Sequence, residues 1–180
     1  MRQLQDPEGV SRSLATEPPG HSLAVLGTIV EFVSQPDTRG GDFCVIRGTV
    51  PPGAIVPLHS HEDAEDFLIL AGSQQVLTEG PEGLRWTEAH AGDYVRIPGG
   101  TLHAHRNVSD QPAVDLIVTT PQMGRFFEEI GVPLGDTPRP PSPEDVGRFV
   151  AASARYGYTL GTPDQNAAVG IQLPTFGGEG

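Results

Sequence analysis

Between residues 22 and 119 the chain alternates short apolar runs with clusters of turn residues. The runs are Leu23–Val33, Asp42–Val50, Ala54–His61, Glu65–Leu70, Gln74–Thr78, Leu84–Glu88, Tyr94–Ile97, His103–Val108 and Ala113–Thr119. Pro, Gly and Asp punctuate them at 35–41, 51–53, 79–83 and 98–100. Proline presets φ and glycine permits positive φ, so these clusters mark turns. Many short strands at this spacing predict an all-β sandwich or barrel over residues 21–120.

Helical periodicity begins only after the last run. Thr120 is placed to cap a helix with Pro121 at its first position. Met123, Phe126, Phe127 and Ile130 then follow at i, i+3, i+4 and i+7, one apolar stripe that Gly131 and Pro133 end. Ser142, Pro143 and Asp145 open a second helix, with Val146, Phe149, Val150 and Tyr156 on its apolar face. Residues 121–156 are therefore a helical extension of the barrel. Residues 1–20 read as an irregular arm and 157–180, rich in Gly, as a loose tail. There is no internal repeat, so the chain holds a single barrel unit.

A chain of 180 residues buries enough surface to fold as one domain without a disulfide or structural metal. The net charge of -12 argues against nucleic acid or an anionic membrane as partner. All basic side chains are Arg, so Schiff-base and P-loop lysine chemistry are excluded. Cys44 is alone and lies in the run Phe43-Cys44-Val45-Ile46, where it reads as a small buried hydrophobe. Met1 to Gly20 hold no apolar segment behind a basic start, and Leu23–Val33 is too short to span a bilayer. A soluble, cytoplasmic protein is expected.

Two spacings carry the chemistry. Gly53, His59, His61, Glu65 and Gly72 stand as G-x5-H-x-H-x3-E-x6-G, and Gly92, Pro98, Gly100, His103 and Asn107 as G-x5-P-x-G-x2-H-x3-N. His59 and His61 are two apart on one strand, so both rings leave the same face. The short turn Glu62-Asp63-Ala64 lets Glu65 return a carboxylate towards them. His103 follows the Pro98–Gly100 turn and supplies a third imidazole. Three imidazoles and a carboxylate suit one divalent transition metal with open positions: Fe, Mn, Ni, Cu or Co, or Zn at lower coordination. Glu62, Asp63 and Asp66 read as solvated loop charges. Asn107 is expected to tie a turn through its amide.

The ten fixed residues resemble both signature motifs of the cupin family without a mismatch. The resemblance covers residues 40–120. It implies a double-stranded β-helix, the cupin jelly-roll barrel, with His59, His61, Glu65 and His103 as metal ligands. The segment Thr119 to Gly131 is similar to the tail of small single-domain cupins like the quercetin 2,3-dioxygenases. In that group the glutamate also acts as a base, which implies the same double role for Glu65. His105 shares the inward parity of His103, where the family usually carries an aromatic or apolar residue, and is a candidate catalytic group.

Parity also turns Phe67 and Ile69 inward beside Glu65, as an apolar wall for a substrate. Arg47 and Arg96 are candidates to hold an anionic substrate group. Leu68 and Leu70 face outward and need a cover, for which a homodimer is one expectation. Three functions compete. The first is a dioxygenase acting with O2 on a small aromatic or enolic substrate. The second is a non-oxidative isomerase, decarboxylase or lyase. The third is a non-catalytic small-molecule-binding barrel.

Overall fold

A computed structural model describes residues 22–34, 36, 42–135 and 141–173. The expected arm over 1–20 lies outside them. In chain order the strands are β1 (Ser22–Val25), β2 (Thr28–Phe32), β3 (Cys44–Val50), β4 (Ile55–Ser60), β5 (Glu65–Ala71), β6 (Ser73–Gly80), β7 (Gly83–His90), β8 (Tyr94–Ile97), β9 (His103–Arg106) and β10 (Ala113–Thr119). Helix α1 (Pro121–Ile130), β11 (Val132–Pro133), α2 (Pro143–Tyr156), β12 (Thr159–Leu160) and α3 (Pro163–Ala168) complete the chain.

The strands form two antiparallel sheets. One has the order β11-β1-β2-β3-β10-β5-β8 and the other β12-β4-β9-β6-β7. Their facing surfaces enclose the barrel interior, as an all-β jelly roll requires. The predicted run Leu23–Val33 is two strands, because Leu26 and Gly27 both take positive φ (47° and 95°) and reverse the chain. Gly72 also takes positive φ (68°), and a Cβ there would meet the Pro112 carbonyl at 2.3 Å. That turn lets β6 leave β5 towards the second sheet, so only glycine fits it.

Both predicted helix starts are present. Thr120 accepts from the Met123 N–H. Ser142 and Asp145 form a reciprocal capping box, which satisfies two otherwise orphaned donors. Met123, Phe126 and Ile130 are buried, Phe126 and Ile130 within the main hydrophobic core.

The expectation of a loose tail over 157–180 is corrected for its described part. Gly157 ends α2 in the left-handed conformation (φ 77°) and turns the chain back, so that Thr159–Leu160 pairs with β4 at Ser60 and His59. Asn166 in α3 is fully buried. Its Oδ1 accepts from the Leu58 N–H at 2.9 Å, and its Nδ2 donates to the carbonyls of Gly161 and Thr162, each at 3.0 Å. Leu58, Leu77 and Ala104 form the outward apolar layer of the second sheet, and Ile171 packs on it. The tail was misread because a few capped turns docked by burial carry little periodic signal. The outward Leu68 of the first sheet is 42% exposed.

Candidate metal centre and cavity

His59 lies near the end of β4, His61 just beyond it, Glu65 opens β5 and His103 opens β9. Three strand ends therefore deliver four side chains to one place. His59, His61 and His103 present ligand atoms within 4.8 Å of one another. Glu65 Oε2 stands 3.3 Å from His103 Nε2 and 3.6 Å from His61 Nε2. His105 joins Glu65 and His103 in a second set of the same compactness.

The Nδ1 atoms fix the rings. His59 Nδ1 lies 2.7 Å from the Pro57 carbonyl, His61 Nδ1 2.9 Å from that of Asp63, and His103 Nδ1 2.8 Å from that of Thr101. A carbonyl only accepts, so each Nδ1 carries the proton and a neutral ring turns its Nε2 lone pair inward. Nε2 of His61 and of His103 is buried without a hydrogen-bond partner. Acceptors that converge around a carboxylate with no donor are costly to bury. A cation at their centre removes that cost, and the donor set fits a divalent transition metal.

The electrostatics agree. Burial alone would raise the Glu65 carboxyl, but the imidazoles of His103 and His61 beside it hold it far below the usual range. Burial pulls His61 down, and the Glu65 carboxylate outweighs it and raises the ring above its ordinary value. Burial holds His59 well below normal, and lowers His105 to about 4. The centre thus keeps a buried anion and attracts positive charge.

Asp63, expected as a solvated loop charge, is buried. Its carbonyl accepts from His61, and its carboxylate accepts from the Thr120 hydroxyl at the start of α1. It is a positioning residue that ties the ligand loop to the helix. Asn107 does tie its turn, donating to the carbonyls of Val50 and Gln111 and accepting from the Ser109 N–H.

His59, His61 and Glu65 open onto a cavity of about 590 Å³. Its lining includes His59, His61, Glu65, Phe67 and His105, with mostly apolar side chains elsewhere. Phe67 packs on His105 with ring centroids 4.9 Å apart, as the strand parity implies. Ile69 is buried in the core beside this wall but does not line the cavity.

Neither arginine lines it. Arg47 lies on the other parity of β3 and pairs with Glu31 across the β2–β3 ladder. The Arg96 side chain is 61% exposed and reaches Asp66. Both substrate-binding assignments are therefore corrected: an Arg on an alternating strand goes where its parity sends it.

Three cavity residues escape sequence reasoning. Tyr158 arrives from the segment after α2, with its ring 4.6 Å from His61 and stacked on Phe126 at 4.2 Å. Its hydroxyl is buried without a partner, and burial raises its pKa far above normal. Asp115 on β10 and Gln74 on β6 are the others, joined by a 2.8 Å hydrogen bond. Asp115 had a visible signal, an acid at inward parity inside the apolar run Ala113–Val118. Tyr158 had none.

Residues 46–119 match the family model for the cupin domain. Over that stretch the chain is a cupin domain. Among solved structures this cupin is similar to the oxalate decarboxylase of Lactobacillus farciminis in its formate complex. The identity is 25%, over 62% of this chain and 33% of that one, with a TM-score of 0.49. It is also similar to a Cupin 2 conserved barrel domain protein from Salinispora arenicola (19% identity, 72% and 88% covered, TM-score 0.47). A third is the DMSP lyase DddQ from Ruegeria pomeroyi (31% identity, 44% and 39% covered, TM-score 0.40). No match is found among curated proteins. Among the described residues of the cupin, no helix is long and apolar enough to cross a membrane.

Proposed function

We propose that this cupin is a metal-dependent dioxygenase acting on a small aromatic or enolic substrate. The observation that carries the reading is the convergence of Nε2 lone pairs and the Glu65 carboxylate at the wall of a mostly apolar cavity. His59, His61, His103 and Glu65 would hold one divalent transition metal. Such a metal supplies Lewis acidity and, where redox-active, a site for O2.

The chain's own residues do the rest. Phe67 and Phe126 give a planar substrate apolar surface and exclude water. Glu65 is held ionised, so it can accept a hydrogen bond from a substrate hydroxyl that reaches it. Metal analysis of protein purified without chelator or nickel resin should give a single transition metal per chain. O2 consumption should accompany loss of an enolic aromatic substrate and disappear in Glu65→Gln. Absence of metal that persists after reconstitution would sink the proposal.

A second reading is a non-oxidative isomerase, decarboxylase or lyase at the same centre. It is favoured by His105, whose two ring nitrogens are buried without partners beside Glu65 and His103. A free imidazole there suits proton transfer to a bound substrate. Turnover in the strict absence of O2 would select it.

A further inference from the structure

The cavity has a second polar end. Glu65 and Ile69 are four residues apart on β5, which places their levels about 13 Å apart along the strand. Asp115 stands across from Ile69 in the β5–β10 ladder. Gln74 stands at a similar level on the opposite sheet, next to Gln75, which pairs with Arg106 three residues beyond His103. Between the two levels lie Phe67, His105 and Ile117 on the cavity wall. The metal ligands thus occupy one level, a largely apolar belt the next, and Asp115 with Gln74 the far one.

Both far residues are 2% exposed and line the cavity. Gln74 Nε2 donates to Asp115 Oδ2 and the Gly48 backbone also faces the carboxylate, but Asp115 Oδ1 and Gln74 Oε1 have no partner of good hydrogen-bond geometry. Oδ1 lies over Gly48, where a Cβ would stand 2.2 Å from it. The backbone at the position opposite Asp115 is therefore bare, and the carboxylate has room only because of it. A purely structural tie between the sheets needs the one hydrogen bond already made. It does not explain two further acceptor oxygens without a well-formed hydrogen bond, since burying an unpaired acceptor is costly.

We propose that Asp115 and Gln74 form a ligand subsite at the far end of the cavity, receiving a hydroxyl group of an elongated, mostly apolar ligand whose other end meets the metal cluster. The assignment rests on the metal-centre reading above. The chemistry of the subsite sets the class. Two bare acceptors call for a donor such as an alcohol or phenol, and they repel a carboxylate or phosphate, which would bring more acceptors. The length sets the shape, a molecule that reaches roughly 13 Å from the level of Glu65 to that of Asp115.

A matched pair of probes tests it on the zinc-loaded full chain. One is a biphenyl hydroxamic acid with a para hydroxyl on its distal ring, and the other is the same compound without that hydroxyl. The hydroxamate end addresses the metal in both. By calorimetry at about pH 8.5, where Asp115 is ionised, the hydroxylated probe should bind about tenfold more tightly, the worth of one good buried hydrogen bond. Asp115→Leu and Gln74→Leu should each erase that preference while the plain probe keeps its affinity. Equal binding of the two probes to the wild type overturns the subsite alone. So does a preference that survives in either substituted protein. Failure of both probes to bind overturns the metal-anchored function and the subsite with it. The wild-type comparison decides the matter even if one substituted protein does not fold.

Discussion

The ring of Tyr158 lies 4.6 Å from the ring of His61, so a residue from beyond the helical extension packs at the His/Glu end of the barrel. The same ring stacks on Phe126 of α1. It is thus a packing element that also brings a buried hydroxyl without a partner to the cavity. Two substitutions separate those roles. Tyr158→Phe keeps the ring and should leave metal content and stability near wild type while turnover falls. Tyr158→Ala should also cost about 3 kcal/mol in stability, the usual cost of deleting a packed aromatic ring. Equal turnover of wild type and Tyr158→Phe would confine the residue to packing.

Metal binding should be visible as stability. A ligand that binds only the folded chain stabilises it by about 2.7 kcal/mol at a hundred times its dissociation constant. Adding the native metal to stripped protein should therefore raise Tm, and a chelator should reverse it. His59→Ala and His103→Ala each remove one of the converging Nε2 atoms and should abolish both the bound metal and the rise. A rise that persists in both would mean that the ion sits elsewhere.

The barrel and the His/Glu cluster were legible in the chain because both depend on short-range rules. Strand parity put His59, His61, Glu65, Phe67 and His105 inward, and the turn residues fixed where strands reverse. The same parity, followed along β3, would have sent Arg47 away from the cavity. What could not be read were contacts made by distant segments. Tyr158 reaches His61 only because Gly157 turns the chain at the end of α2. Asp115 meets Gln74 only because β10 and β6 lie in different sheets that face each other. Asp63 becomes buried only when α1 docks on its loop through Thr120. Each is a tertiary event without local periodicity.

Burial pushes the Asp115 carboxyl from its ordinary 3.8 up to about 7, against the hydrogen bond from Gln74. Between those values the folded chain holds a proton that the unfolded chain has released. The stability it contributes is therefore complete below the lower value and lost as pH rises through the upper one. The slope approaches about 1.4 kcal/mol per pH unit. Asp115→Asn has no such proton and should flatten this part of the profile, gaining on wild type from about pH 5 to about pH 7.5. Urea midpoints across that range measure it. Parallel profiles would mean that Asp115 is ionised in the folded chain throughout.

Gly48 and Asp115 should be energetically coupled. A Cβ at Gly48 would stand 2.2 Å from Asp115 Oδ1 and 3.3 Å from Ile117 Cδ1. Gly48→Ala should therefore destabilise by about 1–3 kcal/mol, as overpacking of a filled interior does. In an Asp115→Ala background the main clash is gone, and the same substitution should cost much less. A double-mutant cycle on urea midpoints reads the coupling directly. Additive effects would show that the backbone of β3 simply shifts to accept the methyl group.

Asn166 links the C-terminal segment to β4, the strand that carries His59. Its side chain makes three hydrogen bonds, one of them to the backbone N–H of Leu58, the residue before His59. Asn166→Ala would leave that N–H buried without a partner and free two carbonyls, a loss of about 3 kcal/mol. The effect should not stop at stability. His59 pairs with Leu160 in the β4–β12 ladder, and β12 is held in place partly by the bonds from Asn166 to Gly161 and Thr162. Loosening β12 lets the end of β4 fray and His59 leave its fixed orientation, so metal affinity should fall along with Tm. Ile171, which covers Leu58 and Leu77, should at the same time become more exposed to proteolysis. A fall in Tm with unchanged metal affinity would instead confine the segment to covering the outer apolar layer.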